Sequence, residues 1–489
     1  MPAKRFFLTT SIPYVNARPH LGHALEFVQA DTYARFQKLL GNEVFLLTGS
    51  DDNALKNVQA AEAAHMPVAR YVTEHSALFK KLNENLNVSF DHFVSTSAEE
   101  RHRRGAQKLW TRIRPEDIDR KKYHGFYCVG CEEFKTEKEL VQGECPEHPG
   151  KKLEEVEEEN YFFKLSHYQG KLLELIENDT LRITPTSRKN EMLAFVRGGL
   201  EDFSISRSFQ RAHGWGVPVP GDETQVMYVW FDALGNYITA LDYADDGNLF
   251  KKWWADNTSN KKHFIGKGIN RFHTLYWPAM LLSAGLSLPT EVVVHGYITS
   301  GGQKMSKSLG NVADPEELIR EYGTDAVRYF LLRHVHPFED SDFTVERFKE
   351  AYNANLANGL GNFVSRVMKM SSEHLSKPLD IGFYDLANNT TQGGSLEIMR
   401  SHVEKYEFNS AIDTIWKEIT VLDKLIQENK PFEIIKTDSQ KGKEEILNLV
   451  QRLWRIATML EPFMPETSKK IKEAIKENKK PETLFPRKE

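Results

Sequence analysis

Cysteine is nearly absent: three residues in 489, at positions 128, 131 and 145. An odd number packed into one short stretch excludes a secreted disulfide framework, and in a reducing compartment it directs the sulfur toward a metal. Long apolar runs are missing too. Nothing approaches the ~20 consecutive residues that cross a bilayer, so no membrane partner is expected. The N-terminal MPAKRFFLTTSIPYVNA has only a short apolar stretch and no small-residue cleavage site after it; it reads as a first β-strand, and a cytoplasmic protein is expected. Neither sign of charge dominates, since 64 Lys and Arg against 69 Asp and Glu leave a net charge of −5. The molecule is therefore no polycation that adheres to nucleic acid indiscriminately, and any such contact must come from local basic patches. The C-terminal KKIKEAIKENKKPETLFPRKE is one such patch, although a run of this kind taken alone is first a solvated, helix-capping tail. No internal repeat is evident.

What remains is the composition of a globular protein, 40% hydrophobic and 27% charged. At ~100–200 residues per domain its length predicts three or four structural units. The chain opens with alternating strand and helix. RFFLTTSI (5–12) is a β-branched and aromatic run, and Leu21, Leu25, Val28, Phe36 and Leu39 recur at helical spacing before Gly41. EVFLLTG (43–49) is a second buried-type strand, and NALKNVQAAEAA begins another helix, which predicts a parallel βαβ unit. QVMYVWFDA (225–233), KHFIGKG (262–268) and EVVVHGYIT (291–299) read as further strands. The expected fold is α/β: a split, Rossmann-type, doubly wound parallel sheet (1–115 and 221–299) interrupted by an insertion (116–220) that holds the cysteines. A loop region (300–345) and an all-helical C-terminal bundle (346–489) follow.

Four short stretches could carry charged chemistry. PHLGH (19–23) puts two histidines, three apart, at a helix N-terminus, where free N–H groups and the helix dipole suit an anion. TGSDDN (48–53) ends a strand, so Asp51 can meet a ligand amine; a helix cap explains an Asp there equally well. GKG (266–268) also ends a strand. GGQKMSKSLGN (301–311) combines mobile glycines with lysines and serines, a set suited to a triphosphate. Alone, each is more simply a cap or a surface turn. Their common placement at strand ends of one expected sheet raises the functional reading.

Taken together these residues are recognisable. PHLGH resembles the HIGH signature of class I aminoacyl-tRNA synthetases, and KMSKS is that class's second signature. SIPYVNARPHLGH, FLLTGSDDN, EENYFFKLS, YVWFDALGNY, HFIGKGINRFHTLYWPAML and VHGYITSGGQKMSKSLGN make the chain similar, over nearly its whole length, to the methionyl-tRNA synthetases. The resemblance implies ligation of L-methionine to tRNA-Met, initiator and elongator, through a methionyl-adenylate, with ATP and Mg2+. Its catalytic residues would be His20, His23, Lys304 and Lys307. ATP would meet Asn16, His20, Gly22, His23, Gly266, Lys267, Ile298, Lys304, Ser306 and Lys307. Methionine would meet Ile12, Tyr14, Asp51, Trp230, Ala233, Leu234, Tyr237, Ile269 and His273, an aromatic and apolar slot whose rings suit a thioether.

Cys128-x2-Cys131 and Cys145-x2-His148 have knuckle spacing, which predicts one closed, structural Cys3His zinc site. Asn362, Arg366 and Phe432 would read the anticodon, with phenylalanine where the family usually has tryptophan. Gly268 stands where the family's GKD has an acid, a departure that removes a ribose contact and predicts a raised ATP KM. A chain ending at Glu489 leaves no room for an appended dimerising module, so a monomer is expected. The alternatives are a class I synthetase for another amino acid, a non-catalytic tRNA-binding paralogue and a small-molecule adenylyltransferase. For the first, a leucine, isoleucine, valine or cysteine enzyme, the large editing insertion of the first three is missing and the aromatic pocket favours methionine; the second has no reason to keep both signatures, and the third has no use for the helical region.

Overall fold

The structure, a computed structural model, describes residues 3–135, 140–146, 150, 152–300, 303–304 (backbone only), 313–377, 379 and 394–489. The chain forms two compact units. One comprises Met1–Pro19, Glu43–Glu84 and Phe90–His295; the other comprises His20–Asn42, Asn85–Ser89 and Gly296–Glu489.

The first unit is built on a six-stranded, all-parallel sheet. Its spatial order is His92–Ser95, Glu43–Ser50, Arg5–Thr10, Ser259–Gly266, Glu291–His295, Arg182–Thr184. A parallel sheet is covered on both faces, so its strands are buried at consecutive positions instead of alternate ones. Glu291–His295, EVVVH, is buried at every position. From the first strand the order runs outward in one direction through Glu43–Ser50. In the other it runs through Ser259–Gly266, so the switch in strand order falls between Arg5–Thr10 and Ser259–Gly266. A crevice at the carboxyl ends of such a pair is where open α/β sheets bind ligands.

Two antiparallel sheets elaborate this unit. In the larger, Ile118–Cys128 pairs with Glu154–Phe163 over its whole length, flanked by Glu133–Lys135 and Phe203–Ser204. The edge strand Arg182–Thr184 of the parallel sheet also comes from within 116–220.

Two predicted strands are corrected. The run 225–233 does not join the parallel sheet: Asp222–Met227 lies in a small antiparallel sheet with Ser206–Ser208 and Pro218–Val219, and Val229–Thr239 is a helix buried at every residue. Aromatic and β-branched side chains favour a strand by propensity, but Trp230, Ala233, Leu234 and Tyr237 fall at i, i+3, i+4 and i+7, one face of a helix. The run 291–299 is two strands. It breaks at Gly296, where a Cβ would sit 2.3 Å from the carbonyl carbon of Glu339. Ile298–Ser300 then pairs with Gln303–Lys304 and Ser341–Asp342 in a small sheet of the second unit.

The second unit also holds the helix Leu21–Leu39 and the C-terminal helices Asn362–His374, Ser395–Glu404, Phe408–Asn429, Pro431–Thr437, Ser439–Leu460 and Pro465–Glu477. Leu360, Val364, Ile412, Ile415, Ile446, Leu453 and Ile471 are fully buried among them, the interior expected of an amphipathic helical bundle. No helix among the described residues is long and apolar enough to cross a membrane.

Candidate active site

All nine residues of the expected amino-acid pocket lie in the first unit. Ser11 N–H bonds the Phe264 carbonyl at 3.1 Å, so the two central strands stay paired as they end. The chain beyond the first strand turns over the end of the second: Asp51 N–H bonds the Pro13 carbonyl at 2.9 Å, and Tyr14 pairs with Asp51 in an isolated parallel bridge. Ile12 reaches the same place, where a Cβ added to Gly49 would lie 3.1 Å from its Cγ2.

Two adjacent carboxylates have separate fates here. Asp52 accepts from Ser50 Oγ at 2.8 Å, from Ser97 N–H at 3.2 Å and Oγ at 3.0 Å, and from Ser95 Oγ; it is committed to holding the loop. Asp51 is only 2% exposed. Burial pushes its carboxyl well above the usual carboxylate range, and the negative charges of Asp232 and Asp52 push the same way, against the Asn53 backbone N–H. A buried acid among acids is stabilised by an incoming cation. A ligand ammonium fits that requirement.

The remaining walls come from the helix Val229–Thr239 and from a π-helical turn, Phe272–Tyr276. The ring of Trp230 stands edge-on to Tyr14 at 6.2 Å and lies flat on Phe272, centroids 3.6 Å apart and planes within 5°. Tyr14 Oη and Trp230 Nε1 are buried donors with no partner among the described residues. Burial and the Asp51 charge hold the Tyr14 phenol well above its usual pKa, so it stays a neutral donor. At the other end Tyr237 Oη lies 2.7 Å from His273 Nε2, and His273 Nδ1 lies 2.9 Å from the Ile269 carbonyl. A ring that donates from Nδ1 to that carbonyl accepts the tyrosine proton at Nε2. His263 lies behind them, 2.7 Å from Thr9 Oγ1. Burial and His273 keep its pKa well below normal, so it remains neutral.

Phe272, Asn53 and Asp232 take part in these contacts but were not among the residues predicted from sequence. All three lie inside stretches quoted above, next to or near predicted residues. Their partners lie far away in the chain, and no local spacing announces them.

The signature residues lie in the second unit. His20 caps the helix Leu21–Leu39. Its Nδ1 accepts the Gly22 N–H at 3.0 Å, its own N–H bonds His23 Nδ1 at 3.1 Å, and the two rings stack at 3.8 Å. A Cβ at position 22 would sit 2.9 Å from His20 Cε1, so a larger residue there would push the ring from its place over the first turn. Lys304 lies in the strand pair with Thr299, and Ile298 is buried in the same small sheet. The four stretches therefore do not all end strands of one sheet, as expected above. Those containing Asp51 and Lys267 do. Lys304 belongs to the small sheet instead, because the chain breaks at Gly296. Ser306 and Lys307 lie outside the described residues. Gly266 closes its strand with Lys267 beginning a 3-10 turn, and Asn16 accepts the Tyr71 hydroxyl through its carbonyl at 3.1 Å.

In the insertion the Sγ atoms of Cys128, Cys131 and Cys145 lie within 4.8 Å of one another, two of the three residues buried. Tetrahedral zinc with ~2.3 Å bonds separates its sulfurs by ~3.8 Å, so the cluster fits that ion. Hydrogen bonding to Cys128 and burial push the Cys131 thiol up. His148 lies outside the described residues. In the helical region Asn362 and Arg366 share an exposed face of Asn362–His374, with Arg366 ion-paired to Asp423, and Phe432 is exposed at the start of Pro431–Thr437.

A family model described as "tRNA synthetases class I (M)" matches residues 6–154 and 148–368. The chain is 42% identical to the methionine–tRNA ligase of Nostoc sp., over 96% of this chain and 89% of that one. It is 40% identical to that of Caldanaerobacter subterraneus subsp. tengcongensis, over 96% and 74%. Among solved structures, Mycobacterium tuberculosis methionyl-tRNA synthetase in complex with methionyl-adenylate is 36% identical, with a TM-score of 0.87 and 99% of each chain covered. The fold and these matches define a class I aminoacyl-tRNA synthetase. Within that class the chain belongs to the methionyl-tRNA synthetases, whose reaction is the ATP-dependent activation of methionine and the charging of tRNA.

Proposed function

We propose that the pocket beyond the switch point receives L-methionine, with Asp51 on the α-ammonium and Ile12, Tyr14, Trp230, Ala233, Leu234, Tyr237, Ile269 and His273 around the side chain. The observation that carries this reading is the buried Asp51 carboxylate, surrounded by acids, at the base of an aromatic slot. In the first step a methionine carboxylate oxygen attacks the α-phosphorus of ATP and pyrophosphate leaves. A ribose hydroxyl of the terminal adenosine of tRNA-Met then attacks the acyl carbon, and AMP leaves.

Such chemistry needs positioning and charge stabilisation more than a proton acceptor. His20, His23, Lys304 and Lys307 are assigned to the phosphates and the transition state. Asn16, Gly22, Gly266, Lys267, Ile298 and Ser306 are assigned to the rest of ATP, with Mg2+ accompanying the phosphates. Cys128, Cys131 and Cys145 with His148 would hold one structural zinc. Residues 346–489 would bind the anticodon of initiator and elongator tRNA-Met through Asn362, Arg366 and Phe432, and the enzyme would act as a cytoplasmic monomer. Lys307→Ala tests the phosphate assignment: ATP–pyrophosphate exchange should fall by about 100-fold or more, and exchange within a few-fold of wild type would exclude it.

A further inference from the structure

The buried carboxylate of Asp232 has no place in the reaction as described. It is 0% exposed and lies on the helix Val229–Thr239, which carries Trp230, Ala233, Leu234 and Tyr237. Two positions on from Trp230, it faces away from that stripe. Its Oδ2 accepts Asn53 Nδ2–H at 2.6 Å, while Oδ1 has no partner among the described residues. The Nε2 of His102 lies 3.8 Å from Oδ2, beyond hydrogen-bond range, and its Nδ1 lies 2.8 Å from Thr239 Oγ1 on the same helix. Asn53 in turn gives its backbone N–H to Asp51 Oδ1 at 3.2 Å. One asparagine thus joins the loop that carries the ammonium acceptor to the helix that walls the side-chain slot.

We infer that Asp232 is a positioning residue for amino-acid recognition: through Asn53 it fixes Asp51 relative to Trp230, Ala233, Leu234 and Tyr237. The pocket must grip an amino acid at both ends, and only a fixed spacing lets one ligand satisfy both contacts. Among the described residues, the Asn53–Asp232 bond spans these two elements directly. Burying Oδ1 without a partner among the described residues carries a desolvation cost, which a positioning role for Oδ2 accounts for. The inference rests on the reading of Asp51 as the ammonium ligand.

The test is methionine-dependent ATP–pyrophosphate exchange by full-length wild type, Asn53→Ala, Asp232→Asn, Asp232→Leu and the Asn53→Ala/Asp232→Leu double variant. Asn53→Ala and Asp232→Leu should each raise the methionine KM about tenfold and leave the ATP KM within about twofold, the loss expected of one hydrogen bond to a charged group. Asp232→Asn keeps an acceptor and should recover most of the loss. The double variant should be no worse than the worse single one, because both changes cut the same link. Equal damage from Asp232→Asn and Asp232→Leu, multiplicative effects in the double variant, or equal rises in both KM values would each overturn the inference. Should Asp232→Leu fail to fold, Asn53→Ala decides, since Asn53 is only half-buried. Absence of exchange in the wild type would fall on the methionine reading itself. Wild-type exchange with an unchanged methionine KM in Asn53→Ala falls on the link alone.

Discussion

Arg328 and Asp31 form an ion pair at 2.7 Å with both side chains fully withdrawn from water. The guanidinium also donates to carbonyls, Nε to Phe463 at 2.9 Å, Nη2 to Pro462 at 2.9 Å and Nη1 to Leu86 at 3.1 Å. Asp31 also takes Arg35 Nε at 2.8 Å and Ser89 N–H and Oγ at 2.7 Å. The pair therefore ties the helix that carries His20 and His23 to the helical region of the same unit. Arg328→Met leaves the buried Asp31 with Arg35 and Ser89 as its remaining partners, so it should cost up to about 3–5 kcal/mol of stability, read as the shift in denaturant midpoint.

The same pair has a pH signature. Burial pushes the Asp31 carboxyl up, but the charges of Arg328 and Arg35 and the Ser89 N–H outweigh it and hold the group below its usual value. A depressed folded-state value means the stabilisation is complete above the unfolded pKa, about 4, and drains away as pH falls through the folded value. Asp31→Asn should lower stability at neutral pH and flatten the loss of stability below about pH 4. An acid limb unchanged by the substitution would show that other carboxylates set it.

Phe272 stacks face to face on Trp230, and the pair shapes one wall of the slot. Aromatic pairs are worth up to ~0.5–1.5 kcal/mol beyond burial, most in offset or edge-on geometry. Phe272→Leu should therefore raise the methionine KM about three- to tenfold with the ATP KM unchanged. A fall in melting temperature with both KM values intact would make Phe272 a core residue only.

The three-cysteine cluster makes a compositional prediction: about one zinc per chain by elemental analysis. Cys145→Ser, or prolonged chelation, should release it and lower the melting temperature by several degrees. A metal-free protein that is folded and active would remove zinc from the account.

An exposed ring at Phe432 can stack on an unpaired base, a contact of ~1–3 kcal/mol. Phe432→Ala should raise the KM for tRNA-Met about ten- to hundredfold and leave pyrophosphate exchange unchanged. Equal losses in both assays would place the residue outside tRNA recognition.

How far sequence foretold structure depended on how local the deciding contact was. The runs at 5–12, 43–49, 262–268 and 291–299 each overlap a parallel strand, at 5–10, 43–50, 259–266 and 291–295, because both faces of such a sheet are covered. Trp230, Ala233, Leu234 and Tyr237 had helical spacing inside a segment whose composition favours a strand, and burial on every side settled it as a helix. Asp51 and Asp52 are adjacent and chemically alike, so only the serines at 50, 95 and 97 distinguish them. The Phe272–Trp230 stack and the Asn53–Asp232 bond join distant segments, and no periodicity encodes such pairs. The break at Gly296 follows from the approach of Glu339, which also lies far along the chain.

Asp51 and the aromatic slot together should select methionine for activation by ATP. ATP–pyrophosphate exchange with a panel of amino acids, run on wild type and Asp51→Asn, tests it most directly. Exchange should be driven by methionine, at least about 100-fold weaker with leucine, isoleucine and valine, and the methionine KM should rise about 100-fold or more in Asp51→Asn, the cost of losing a buried charge partner. Exchange driven equally by another amino acid, or a methionine KM indifferent to Asp51, would contradict it.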